Sequence, residues 1–84
     1  TGLALDFNDV SQGFQETEAY QWLRQHGPAY GFIQRYQREK EAVTGVKAEP
    51  WHFRYVGREH ALEMERLGLC LEEYVRWQRA LGGP

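Results

Sequence analysis

The chain has 84 residues, a net charge of −2 and 26% charged residues. That is one small domain, in which burial and chain ordering nearly cancel. A hydrophobic content of 42% with 14% aromatics excludes a disordered tail, and apolar runs of only a few residues cannot span a membrane. No basic block is present, which argues against duplex nucleic acid as a partner. The single Cys70 excludes an internal disulfide framework and a Cys-rich zinc site. No charged, apolar, small-residue pattern of a signal peptide opens the chain.

Gly2 to Phe7 alternates, with Leu3, Leu5 and Phe7 on one side and Asp6 on the other, and predicts a short strand. Asn8 to Gly13 reads as a polar connection. Glu16 to His26 predicts a helix whose inner face is Ala19, Trp22, Leu23 and His26, with Thr17 or Gln15 near its start. Gly27-Pro28 should stop it, and a further turn to Tyr30 would end on Gly31 in the left-handed region. Phe32 to Tyr36 is strand-like, and the charged stretch Gln37 to Gly45 reads as a loop ending in a Thr44-Gly45 turn. Glu49 to Val56 is the second strong strand, closed by Gly57. Glu59 to Leu67 and Leu71 to Leu81 predict two helices. Gly68 lies between them, Cys70 stands at the second N-cap three residues before Glu73, and Leu71, Tyr74, Val75 and Leu81 point inward. The class is α+β: a small antiparallel sheet with helices packed on it.

Chemistry concentrates in Glu49-Pro50-Trp51-His52-Phe53-Arg54. A carboxylate three residues before a histidine suits a hydrolase in which the imidazole binds a metal and the carboxylate takes a proton from water. On a regular strand those two residues face opposite sides. Pro50 cannot pair in the ladder, so it sets Glu49 at the beginning of the strand, where the backbone can turn its carboxylate toward His52. The bland alternative is an ion pair between Glu49 and a nearby arginine. Asp6, an acid on an apolar strand, needs a partner or a metal. His52 and Asp6 alone are an incomplete zinc set. His26 reads better as a core or boundary histidine than as a third ligand, and His60 better as a hydrogen-bonding or capping residue. Tyr20, Trp22, Tyr30 and Trp77 read as core. Tyr36 and Trp51 flank the candidate site and suit either a substrate wall or packing. Arg35 and Arg54 could bind a substrate carboxylate, or pair with Glu49 or Asp6.

The residues then become recognisable. Thr-Gly-Leu-Ala-Leu-Asp-Phe (1–7) resembles the second half of the Ser-x-His-x-x-Gly-x-Ala-x-Asp motif of zinc D,D-peptidases. Tyr30-Gly31-Phe32, Arg35-Tyr36, Thr44-Gly45 and Glu49 through Gly57 are similar to the D-alanyl-D-alanine carboxypeptidase family of the VanY type. Gly68-Leu69 and Leu71-Glu72-Glu73-Tyr74 resemble that family's C-terminal helix. The resemblance covers nearly the whole chain, with its motifs in order.

The resemblance implies a fold like that of the D,D-peptidase and hedgehog-type zinc peptidases. It implies Zn2+ held by Asp6 and His52, with a third ligand, a histidine, expected upstream of Thr1. Glu49 would be the catalytic base that activates the zinc-bound water, and Tyr36 and Trp51 would border the substrate. The implied reaction is loss of a terminal D-alanine from peptidoglycan stem peptides in the cell envelope, outside the cytoplasm. An L,D-carboxypeptidase, a D,D-dipeptidase and a non-catalytic peptidoglycan-binding fragment are the alternatives. Residues 1–84 would be the C-terminal portion of one domain, completed by its N-terminal half or by a second copy of the chain. The family's upstream substrate-binding arginine and serine have no counterpart here, and Gln37 stands where a proline usually follows Arg-Tyr.

Overall fold

The computed structural model describes residues 4–6, as backbone, and 11–82. Three strands form one antiparallel sheet: β1 (Ala4–Asp6), β2 (Phe32–Tyr36) and β3 (Glu49–Tyr55), in the order β1-β3-β2. Around it lie α1 (Glu18–His26), α2 (Glu41–Thr44), α3 (Arg58–Leu67) and α4 (Leu71–Ala80). The architecture is α+β, a small antiparallel sheet with helices packed on it. The expected strand from Gly2 to Phe7 is seen as β1, and its remaining positions lie outside the described residues.

Helix boundaries follow local chemistry. The Thr17 hydroxyl accepts from the Tyr20 amide and caps α1. The α-helix thus begins at Glu18 rather than at the expected Glu16, and the end of the expected polar connection is taken up by a 3₁₀ helix, Gln12–Glu16. A second 3₁₀ turn, Gly27–Tyr30, ends on Gly31 at φ 93°. α3 ends on Gly68 at φ 68°, and the Glu73 carboxylate accepts from the Cys70 amide at 3.0 Å to open α4. The charged stretch after β2 is not a plain loop. It forms a 3₁₀ turn, Arg38–Lys40, running into α2, and the Glu41 side chain is used to fix the chain that follows.

The core has two parts. Ile33, Ala61, Met64 and Tyr74 are buried together, with Val56, Leu69, Leu71 and Trp77 packed on them. Phe53 and Phe14 are buried too, and the Tyr20 ring meets both edge-on, at centroid distances of 6.0 Å to Phe14 and 6.3 Å to Phe53. Three expectations about faces are corrected. α1 turns Tyr20, Leu23 and Arg24 inward rather than Ala19, Trp22 and His26, because the polar ends of Tyr20 and Arg24 reach a buried amide on β2. Trp22 and Tyr30 are 49% and 65% exposed and stack on each other, with His26 beside Trp22. On α4, Val75 and Leu81 are exposed, while Trp77 stacks on Tyr74.

The sheet is tied to α4 by a bidentate ion pair, with Arg35 Nη1 and Nη2 each 2.9 Å from a Glu72 carboxylate oxygen. Arg35 is therefore committed to Glu72 and not to Glu49. Lys40 reaches Glu73 at 2.9 Å.

Two outcomes are expected. Partial burial pushes the Glu72 carboxyl up, but its bonds to Arg35 and to backbone outweigh this and hold it below its ordinary 4.5. The Cys70 backbone bond, then Lys40, lowers Glu73 as well. A depressed folded-state value means the stabilisation is fully present above 4.5 and is lost as the pH falls through the lower folded values. Thermal unfolding against pH should show a flat neutral limb and a falling acid limb. Glu72→Gln should lower the first and flatten the second; an unchanged acid limb in both Glu72→Gln and Glu73→Gln would contradict this. Gly31→Ala should destabilise by about 1–3 kcal/mol. Its Cβ would lie 2.5 Å from Tyr55 Cε1 and 3.2 Å from the Arg58 amide, at a positive φ. Denaturant titration measures the loss.

Candidate functional site

β3 is the central strand, and its two neighbours pair with it in different registers. Against β1 the pairs are Ala4–Arg54, Leu5–Phe53 and Asp6–His52. Against β2 they run Phe32–Tyr55, Ile33–Arg54 and Gln34–Phe53, then jump to Tyr36–Glu49. Between the last two pairs, Pro50, Trp51 and His52 on β3 stand against Arg35 alone on β2. The central strand thus bulges toward its β2 side. A bulge accommodates a proline, which has no amide hydrogen to give to the ladder.

The bulge breaks the strict alternation that would separate Glu49 from His52. Glu49 Oε1 lies 3.2 Å from His52 Nδ1. Both side chains are partly buried, at 29% and 22% exposure. The Tyr36 ring meets the His52 ring edge-on at 5.6 Å, and the Arg35 guanidinium lies 4.5 Å over the other aromatic system, that of Tyr36. Trp51 is half-buried within the bulge. The alternative of a Glu49–arginine pair is not what the described residues show; Glu49 turns to His52.

The beginning of β3 is clamped from both sides. Ala48, just before Glu49, is buried. Its amide donates to Glu41 Oε2 at 2.8 Å, and its carbonyl accepts from Gln12 Nε2 at 2.7 Å. These bonds fix the backbone from which the Glu49 side chain springs.

On β2, Gln34 is a buried polar side chain at 4% exposure. Its Oε1 accepts from the Tyr20 hydroxyl and from Arg24 Nη1, each at 2.7 Å, and its Nε2 donates to the Tyr36 carbonyl at 2.8 Å. Gln34, Tyr20 and Arg24 were not among the residues that sequence reasoning assigned to the site. The signal was a polar residue in the middle of the run Phe32-Ile33-Gln34, where burial demands hydrogen-bond partners.

The sequence-predicted residues are therefore brought together in part. Glu49, His52, Tyr36 and the backbone of Asp6 converge on the bulge. His60 is occupied elsewhere, with Nδ1 2.7 Å from the Tyr74 hydroxyl, and His26 sits in the surface aromatic cluster. Among the described residues no three His, Cys, Asp or Glu side chains are grouped for a metal. The donor chemistry nonetheless fits zinc. Directly opposed antiparallel positions share a face with Cβ atoms ~4.5–5.5 Å apart. Asp6 and His52 hold such positions, and an imidazole with a carboxylate is a regular partial zinc set. A separate cavity of about 340 Å³, lined by Leu23, Pro28, Phe32, Met64 and Leu69 among others, is bordered by neither Glu49 nor His52.

Comparison with known proteins bears on this arrangement. The family model described as VanY, D-alanyl-D-alanine carboxypeptidase, matches residues 1–58, which include β1, β2 and β3. A D-alanyl-D-alanine carboxypeptidase of Enterococcus faecalis (strain ATCC 700802 / V583) is 46% identical over 80 residues, covering 93% of this chain and 29% of that protein. Among solved structures, a mutant of the vancomycin resistance D,D-pentapeptidase VanY from a VanB-type resistance cassette, in complex with Zn(II), gives a TM-score of 0.75 at 49% identity. That match covers 88% of this chain and 42% of that one. The LdcB LD-carboxypeptidase gives 0.82 at 38% identity, over 89% of this chain and 38% of its own. The chain thus spans less than a third of the curated relative, and the part it spans carries the strands on which Asp6, Glu49 and His52 lie. By this match over most of its length, the chain belongs to the VanY family of D-alanyl-D-alanine carboxypeptidases.

Proposed function

We propose that residues 1–84 are the C-terminal portion of a zinc D,D-carboxypeptidase domain that removes the terminal D-alanine from peptidoglycan stem peptides. The observation that carries this reading is the 3.2 Å approach of Glu49 to His52 Nδ1, on a strand whose register sets Asp6 opposite His52. The Zn(II) complex of a VanY relative and the name of the enterococcal one support it. The reaction places the protein outside the cytoplasm, in the cell envelope. No helix among the described residues is long and apolar enough to cross a membrane.

In this reading Asp6 and His52 hold zinc, with a third donor from a histidine preceding Thr1. Bound there, zinc supplies Lewis acidity to the scissile carbonyl and makes water a better nucleophile at neutral pH. Glu49 takes a proton from the attacking water and passes it to the departing amine. Its place beside His52 Nδ1 puts the base next to the ligand without spending it as one. Tyr36 and Trp51 border the stem peptide, and the Tyr36 ring also restrains the His52 ring.

In the complete domain, Glu49→Gln should keep its zinc and lose turnover by at least about a hundredfold. Metal analysis after dialysis, run beside hydrolysis of a D-Ala-D-Ala-terminated peptide, checks this. Zinc content and turnover falling together would make Glu49 a ligand and the assignment wrong. Asp6→Asn and His52→Ala should each lose zinc under the same dialysis. The same assay with a peptide ending in a single D-alanine after an L-centre, and with the free dipeptide, separates D,D-carboxypeptidase from L,D-carboxypeptidase and dipeptidase activity.

A further inference from the structure

We infer that Gln34 is a positioning residue for the catalytic pair, acting through Tyr36; the claim about turnover rests on the function proposed above. Gln34 is 4% exposed, and burying an amide is costly unless each end is bonded. One end faces α1: Oε1 receives the Tyr20 hydroxyl and Arg24 Nη1, each at 2.7 Å. The other faces the bulge: Nε2 donates to the Tyr36 carbonyl at 2.8 Å. Tyr36 is the β2 residue paired with Glu49, and its ring lies against His52. Gln34 is itself paired with Phe53. It therefore stands at the last regular pair before the bulge and holds, by its side chain, the first regular position beyond it. Where three residues of β3 oppose one of β2, the ladder gives little restraint. The Gln34–Tyr36 bond replaces it and sets where the Tyr36 ring and the Glu49 backbone stand relative to His52.

The two ends of the amide can be tested separately. Gln34→Glu keeps an acceptor for Tyr20 and Arg24 but sets a carboxylate oxygen, in place of a donor, against the Tyr36 carbonyl. Tyr20→Phe removes one bond from the α1 end and leaves the Tyr36 end intact. In the complete domain, Gln34→Glu should lower the melting temperature, lower kcat about tenfold and leave KM within about twofold. The His52 ring nitrogen resonances should move in its ¹⁵N NMR spectrum. Tyr20→Phe should leave kcat within about twofold and those resonances in place. If Gln34→Glu does not fold, Gln34→Met, of similar length and without a donor, carries the same expectations for kcat and for the His52 signals. Wild-type kcat with unmoved His52 resonances in whichever of the two variants folds would overturn the proposal, as would an equal loss in Tyr20→Phe. A wild-type domain inactive on D-Ala-terminated peptides would instead refute the functional reading. The His52 resonances of the variants would still decide the role of Gln34.

Discussion

A change of register in the central strand governs the rest of the structure. β3 must pair with β1 on one edge and β2 on the other, and it must also carry Glu49 and His52 three residues apart. A regular strand would send those side chains to opposite faces. The bulge at Pro50, Trp51 and His52 meets all three demands. Pairing with β1 is kept through His52, pairing with β2 resumes at Glu49, and the intervening residues leave the ladder where Pro50 has no hydrogen to donate.

Leaving the ladder has a cost in order, because unpaired backbone gains freedom. The surrounding residues restore restraint with side chains. Glu41 and Gln12 grip Ala48 before the bulge, Gln34 grips Tyr36 across from it, and the Tyr36 ring bears on His52. Each clamp comes from a different part of the chain: the 3₁₀ helix before α1, the helix after β2, and β2 itself. The pair is thus held by side-chain bonds although it lies on irregular backbone.

Much of this was legible in the sequence, and the reasons differ by element. β3 could be read because Trp51, Phe53 and Tyr55 alternate with His52 and Arg54 before Gly57, and β2 because aromatic residues stand at both of its ends after Gly31. The turn at Gly27 to Gly31 could be read because proline and a left-handed glycine leave few options. The Glu49–His52 meeting was legible through Pro50. The inner face of α1 was not. A periodicity count places Trp22 inside, but the buried partner on β2 is an amide, and an amide draws in Tyr20 and Arg24 while Trp22 stacks with Tyr30 in solvent. The helical stretch after β2 was illegible for a related reason. Its charged residues do not mark an apolar face, and what orders them is specific bonding, Glu41 to Ala48 and Lys40 to Glu73.

Arg35 shows why the helices beyond the family match matter to a site they do not line. It is the single β2 residue that stands against the bulge. A residue there has lost its regular cross-strand partner, and a long charged side chain would otherwise be free to wander or to compete for Glu49. The fork with Glu72 removes that freedom and leaves the guanidinium stacked on Tyr36, whose other contact is His52. α4 lies outside residues 1–58, where the family model matches, yet through Glu72 it reaches the bulge in two contacts. Through this one ion pair the C-terminal helix fixes the β2 residue that faces the irregular stretch of the central strand.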